Sequence, residues 1–144
     1  SGDTSKGGLS RVDWLFADKP DLMILELGAN DGLRGLPPSE TRKNLAAIIE
    51  KAQAAGVKVL LTGMMASPNL GREYSDEFNA VFPDLAAEYD TLFYPFFLDG
   101  VAADASLNQG DGMHPTGAGV DVIVTRILPI VEKALPDLSQ KGAS

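Results

Sequence analysis

The 144-residue chain contains no cysteine, only one histidine and only one tryptophan. Without cysteine it can form neither a disulfide framework nor a thiolate metal site, and it has no cysteine nucleophile. One histidine leaves little for a transition-metal site, so we expect no metal. The redox compartment stays undetermined.

Basic residues and long apolar runs are also scarce. There are 12 Lys and Arg against 20 Asp and Glu, which gives a formal net charge of −8. Such a charge opposes the phosphate backbone, so we expect no nucleic-acid partner. Apolar runs are strand-sized, far below the roughly 20 residues that span a bilayer, so no membrane span is expected. A composition of 44% apolar and 22% charged residues indicates one folded domain.

Three short apolar runs predict the strands of a parallel sheet. They are DLMILELG at 21–28, VKVLLTG at 57–63 and TLFYPFF at 91–97. Uninterrupted apolar runs are typical of strands that are buried on both faces. Pro95 must end the third strand or lie at an edge of the sheet.

Segments with helical spacing lie before, between and after these runs. They predict helices over 4–17, 39–55, 72–89 and 116–135, with Pro83 expected to kink or divide the third. The alternating order predicts a parallel sheet with helices on both faces. Three strands are few for a doubly wound sheet, so the pattern indicates the later part of such a fold.

Polar side chains follow the first strand, where ligands bind in open α/β sheets. The segment GANDG at 28–32 places Asn30 there, and its amide can donate a hydrogen bond to a developing oxyanion. The alternative is a simple turn, because Gly, Asn and Asp tolerate a positive φ.

Two further segments contain residue types that are suited to catalysis or to anion binding. In DGMHP, Asp111 can accept a hydrogen bond from the ring of His114 and leave its other nitrogen free as a base. The alternative is a surface loop in which Asp111 caps the next helix. At the amino end, SGDT leads into a helix, where Gly2 would let an anion approach the backbone; an Asp or Thr cap is the alternative.

Taken in order, Gly2 in SGDT, the GxND of residues 28–31 and Asp111-x-x-His114 resemble the second, third and fifth conserved blocks of the SGNH (GDSL-type) hydrolase family. The similarity runs nearly end to end and is closest to the bacterial arylesterases, acyl-CoA thioesterases and lysophospholipases. It implies a flavodoxin-like, three-layer α/β/α fold with a parallel sheet, here without its first two strands. It also implies a small ester or thioester substrate and no cofactor.

The resemblance assigns roles to individual residues. His114 would be the general base and Asp111 its orienting partner, while the Gly2 N–H and the Asn30 side chain would be two of three oxyanion donors. The loop at 64–72 (MMASPNLGR) looks like the family's substrate-binding loop, or is an ordinary connector. Its candidate substrate-binding residues are Met64, Met65, Pro68 and Leu70.

The family's nucleophilic serine belongs to a GDS-Leu block some tens of residues before SGDT, and no such block is present here. We therefore expect residues 1–136 to be the carboxyl-terminal part of a single domain and 137–144 to be a flexible tail. The sheet would be completed by an upstream segment, by another polypeptide or by a second copy of the chain.

Other interpretations remain at this stage. Thr4, Ser5 or Ser67 would be the nucleophile if the chain acted alone, and a chain without a nucleophile would be a catalytically inactive binding or interaction domain. Relatives of this bacterial branch are often exported, so we expect a periplasmic or secreted protein, with the cytoplasm as the alternative.

Overall fold

The computed structural model describes residues 3–98, 100–102, 104–110 and 115–135. The chain divides into two compact units, with the boundary after Pro95, and each is described by itself. In the described ranges, no helix is both long and apolar enough to cross a membrane. The single domain over 1–136 stays a prediction, and the tail at 137–144 lies outside the described residues.

The first unit contains a three-stranded parallel sheet in the order β1-β2-β3, which confirms the predicted α/β class. The third strand ends directly before Pro95, because proline has no backbone N–H to donate to a neighbouring strand. The elements of this unit are α1 (Ser5–Leu15), β1 (Leu22–Leu25), α2 (Ala29–Arg34), α3 (Pro38–Ala54), β2 (Lys58–Thr62), a 3₁₀ turn (Pro68–Leu70), α4 (Arg72–Tyr89) and β3 (Leu92–Tyr94).

Helix α3 is central to the core, because it contacts α1, α4 and β2. Its Pro38 stands in the first turn, where a missing N–H costs nothing. The helical spacing in this segment places four apolar residues on one buried stripe, and each of them is at most 1% exposed. Burying each large aliphatic side chain contributes about 1.5–3 kcal/mol. The stripe consists of Leu45, Ile48, Ile49 and Ala52.

Helix α4 carries the aromatic part of the core. Phe78 and Phe82 are at most 1% exposed, and their ring centroids lie 5.5 Å apart in an edge-to-face arrangement. The ring of Tyr74 stacks on Phe78 at 6.0 Å. Pro83 lies on the exposed side of one continuous 18-residue helix, so it does not divide the helix.

We expect Phe78→Ala to lower the free energy of unfolding by about 3–5 kcal/mol, because it leaves a cavity under two aromatic neighbours. Urea denaturation measures the change. Leu33→Ala is the control, since Leu33 is 49% exposed, and it should cost less than about 1 kcal/mol. Equal losses in the two variants would contradict this account of the core.

The second unit contains α5 (Gly117–Ala134) and the loops before it. The Thr116 hydroxyl caps α5 by accepting the N–H of Gly119 at 3.2 Å. Asn108 and Pro115 form an isolated antiparallel bridge. The buried Asn108 amide also donates to the carbonyl of Val101 at 2.7 Å. The two residues that flank positions 109–114 are therefore held together.

Candidate active site

The segment GANDG forms the start of a short helix, α2, and not the simple turn that was its alternative interpretation. Gly28 precedes α2 with a φ of 106°, and a Cβ there would lie 2.9 Å from the Phe82 ring. A Cβ at Gly32 would lie 2.8 Å from the Phe78 ring. Both glycines therefore let α2 pack directly against the aromatic side chains of α4.

Asn30 lies in the first turn of α2, just beyond the carboxyl end of β1, and is half-buried. Its Nδ2 donates a hydrogen bond to the backbone carbonyl of Asp3 at 3.0 Å. Because a carbonyl can only accept, this bond fixes which end of the amide faces Asp3. Asn30 thus contacts the residue that follows Gly2, the second predicted oxyanion donor, although Gly2 itself lies outside the described residues.

The amino end of α1 is capped by its own polar residues. The Thr4 hydroxyl accepts the N–H of Gly7 at 3.2 Å, and the Asp3 carboxylate forms an ion pair with Arg11. The capping interpretation of SGDT is therefore confirmed for Thr4. The anion-binding role of Gly2 stays a prediction, because Gly2 lies outside the described residues.

Asp31 is the polar residue that sequence analysis missed. It is 1% exposed and accepts hydrogen bonds from the N–H and the hydroxyl of Ser5 and from the hydroxyl of Thr41. The Ser5 hydroxyl is thereby buried and engaged, and the Thr4 hydroxyl serves as a cap. Ser67 likewise caps the 3₁₀ turn. Within the described residues, neither Thr4 nor Ser67 donates its hydroxyl to a base, and the Ser5 hydroxyl is buried.

The predicted substrate-binding loop follows β2 and lies beside α2. A Cβ built on Gly35, which ends α2, would lie 3.6 Å from Leu70. Leu70 is 37% exposed, Met65 is 59% exposed and Pro68 is also exposed, whereas Met64 is only 4% exposed. Three of the four candidates are therefore open to solvent and one is part of the interior.

Tyr74 links α4 to the segment after α2. Its hydroxyl donates to the carbonyl of Leu36 at 2.5 Å. Burial raises the pKa of the Tyr74 phenol above its usual 10.0, and the negative charges of Asp31 and Glu77 raise it further. The phenol therefore stays protonated at neutral pH and keeps its role as a donor.

The predicted base and its orienting partner, His114 and Asp111, lie outside the described residues, as Gly2 does. Their roles stay predictions. Asn108 and Pro115, which are described, hold the chain on either side of them. In the described part of the chain, no group of three His, Cys, Asp or Glu residues is arranged to hold a metal ion.

Comparison with known proteins identifies the relatives of this chain. Esterase TesA of Pseudomonas aeruginosa is 43% identical over 94% of the chain and 68% of its own length. The Escherichia coli protein named Thioesterase 1/protease 1/lysophospholipase L1 and an arylesterase of Vibrio mimicus are each 40% identical over 80% of the chain. The chain spans only 56% and 58% of those two proteins.

Solved structures show the same relationship. The crystal structure of TesA matches with a TM-score of 0.87 over 94% of this chain and 76% of that one. The esterase AlinE4, of the SGNH-hydrolase family, is 47% identical, with a TM-score of 0.74 over 94% of this chain and 74% of its own. Residues 1–122 match the GDSL-like lipase/acylhydrolase family. The predicted resemblance is thus confirmed, and the chain belongs to this family of carboxylic ester hydrolases.

Proposed function

We propose that the full-length protein is a serine ester hydrolase that acts by acyl transfer. A serine upstream of this chain attacks the carbonyl carbon of the substrate, and His114 takes its proton and returns it to the leaving group. Asp111 orients the imidazole. The Gly2 N–H and the Asn30 amide stabilise the tetrahedral oxyanion.

The position of Asn30 is the observation that carries this proposal. An amide has two N–H groups, and the Asp3 carbonyl takes one of them. In the part of the chain that the structure describes, the second N–H has no protein partner. It lies beyond the carboxyl end of β1, where an open α/β sheet binds its ligand, and a fixed neutral donor there suits an oxyanion.

We also propose a small substrate of the ester or thioester class, as in the named relatives. Exposed Met65, Pro68 and Leu70 give the loop after β2 an apolar surface beside α2, suited to an acyl or aryl group. A contact by buried Met64 remains a prediction from the sequence. A periplasmic or secreted location is part of the same proposal and depends on the resemblance.

An upstream segment of the same protein is our proposed partner for the sheet. Among the described strands β1 pairs only with β2, and Ile24 on it is 46% exposed. Beside β1 lies a groove of about 530 Å³ whose lining includes Trp14 and Leu15, which are 86% and 59% exposed. An extended, apolar strand would pair with the free edge of β1 and fill this groove.

The proposal predicts which samples contain an activated serine. A fluorophosphonate, which labels activated serines, should label the full-length protein and also a mixture of this chain with its upstream segment. It should not label this chain alone, because none of the three candidate hydroxyls, those of Thr4, Ser5 and Ser67, is both accessible and bonded to a base. Mass spectrometry reads out the adduct.

Each outcome has one interpretation. Labelling of this chain alone would contradict an upstream nucleophile. Labelling of the full-length protein but not of the mixture would contradict completion of the sheet by the separate segment. No labelling of any sample would contradict the hydrolase and favour a binding domain on the same scaffold.

A further inference from the structure

Asp31 is a buried carboxylate to which the proposed reaction gives no task. Its side chain is 1% exposed, and each hydrogen-bond partner found for it among the described residues is a neutral donor. Burying a carboxylate costs several kcal/mol, and a well-packed apolar group in such a place is often as stable. Stability alone therefore does not explain a charged residue at position 31.

The Asp31 carboxylate joins the amino ends of three helices. One oxygen accepts the Ser5 N–H at 2.8 Å, which is the first N–H of α1 and has no partner within that helix. The other oxygen accepts the hydroxyls of Ser5 at 2.5 Å and Thr41 at 2.8 Å. Thr41 belongs to the first turn of α3 and Asp31 to that of α2. The partial positive charge at these helix ends favours the carboxylate.

Asn30 and Asp31 together hold one short stretch of backbone. Asn30 binds the carbonyl of Asp3 at 3.0 Å, and Asp31 binds the N–H of Ser5 two residues later. We call this arrangement of Asp3, Ser5, Asn30 and Asp31 the 3–5 clamp. The clamp therefore fixes the carbonyl that accepts one N–H of Asn30, and with it the direction of that amide.

We propose that Asp31 is a positioning residue for the oxyanion donor Asn30: it holds segment 3–5 against α2 and so fixes the Asp3 carbonyl that orients the Asn30 amide. The inference rests on the proposed hydrolase function. Asp31 touches no reacting atom and acts on Asn30 through the backbone of segment 3–5. A displacement of about 1 Å at a reacting centre costs on the order of 10²-fold in rate.

The test compares Asp31→Ala and Asp31→Asn in the full-length protein. Asp31→Ala should lower kcat by about 10- to 100-fold with KM changed less than about threefold, because the donors act on the transition state. Asp31→Asn should recover part of kcat, since its amide oxygen still accepts the Ser5 N–H. Thr62→Val is the matched control: it removes a fully buried hydroxyl that bonds the Leu25 carbonyl at 3.2 Å, and it should keep kcat.

A double-mutant cycle separates positioning from stability. In the Asn30→Ala background, Asp31→Ala should lower kcat by less than about threefold, because the donor it positions is gone. A purely structural Asp31 would lower kcat by the same factor in both backgrounds. That result, or an unchanged kcat in folded Asp31→Ala, would overturn the proposal.

Amide hydrogen exchange gives a readout that does not need activity. Asp31→Ala should speed exchange of the Ser5 N–H at least tenfold, and Thr62→Val should not. If the wild-type protein hydrolyses no ester, the hydrolase proposal fails, and the positioning role fails with it. Unchanged exchange at Ser5 in an active enzyme instead refutes the clamp alone.

Discussion

Replacing His114 with alanine is expected to lower kcat of the full-length protein on a p-nitrophenyl ester by about 10⁴- to 10⁶-fold. Without the imidazole no group accepts the serine proton during attack, and none returns it to the leaving group. Asp111→Ala should cost about 10⁴-fold, because an unoriented imidazole still acts as a base part of the time. KM should change much less than kcat in both variants.

The control for this prediction is Gln109→Ala. Gln109 is exposed, and its amide donates to the carbonyl of Pro115 at 3.3 Å, so the change loosens a flank of the DGMHP segment without removing its carboxylate or imidazole. Its kcat should stay within about threefold of the wild-type value. Wild-type turnover in both His114→Ala and Asp111→Ala would contradict their proposed roles as general base and orienting partner. An equal loss in Gln109→Ala would show that loop geometry, and not proton transfer, limits the rate.

Local signals were enough to predict most of the fold from the sequence. Strand β2 was predicted at 57–63 and runs Lys58–Thr62, and α3 was predicted at 39–55 and runs Pro38–Ala54. Apolar runs and helical spacing report on burial, which is also what decides these elements. Pro83 had an ambiguous signal, because its cost of about 3 kcal/mol is offset when residues on both sides are buried. Those neighbours in α4 include Phe82 and Leu85.

The details of the candidate site were harder to predict, because they depend on contacts that are distant in sequence. A six-residue helix flanked by Gly28 and Gly35, with Gly32 inside it, has no periodicity to detect, so α2 was not predicted. The partners of Asp31 lie 26 and 10 residues away, at Ser5 and Thr41. One signal was present: Asp31 directly follows a candidate catalytic amide.

Asn30→Ala is expected to lower kcat by about 10²- to 10³-fold, which is the usual cost of one oxyanion donor. KM should remain close to the wild-type value, because the oxyanion exists only in the transition state and the intermediate. Asn30→Asp should be at least as damaging. It places a carboxylate oxygen against the Asp3 carbonyl and adds negative charge where the oxyanion forms.

Gln53→Ala is the matched control for Asn30→Ala. Gln53 is also an amide that donates to a backbone carbonyl, that of Tyr89 at 2.8 Å, but it lies in the last turn of α3. If loss of any such bond lowered kcat through stability, the two variants would behave alike. The hydrolase proposal instead requires Gln53→Ala to keep its kcat within about twofold while Asn30→Ala loses two orders of magnitude or more. A folded Asn30→Ala enzyme with wild-type kcat would show that the Asn30 amide only holds Asp3 in place. The proposed oxyanion site at Asn30 would then be wrong.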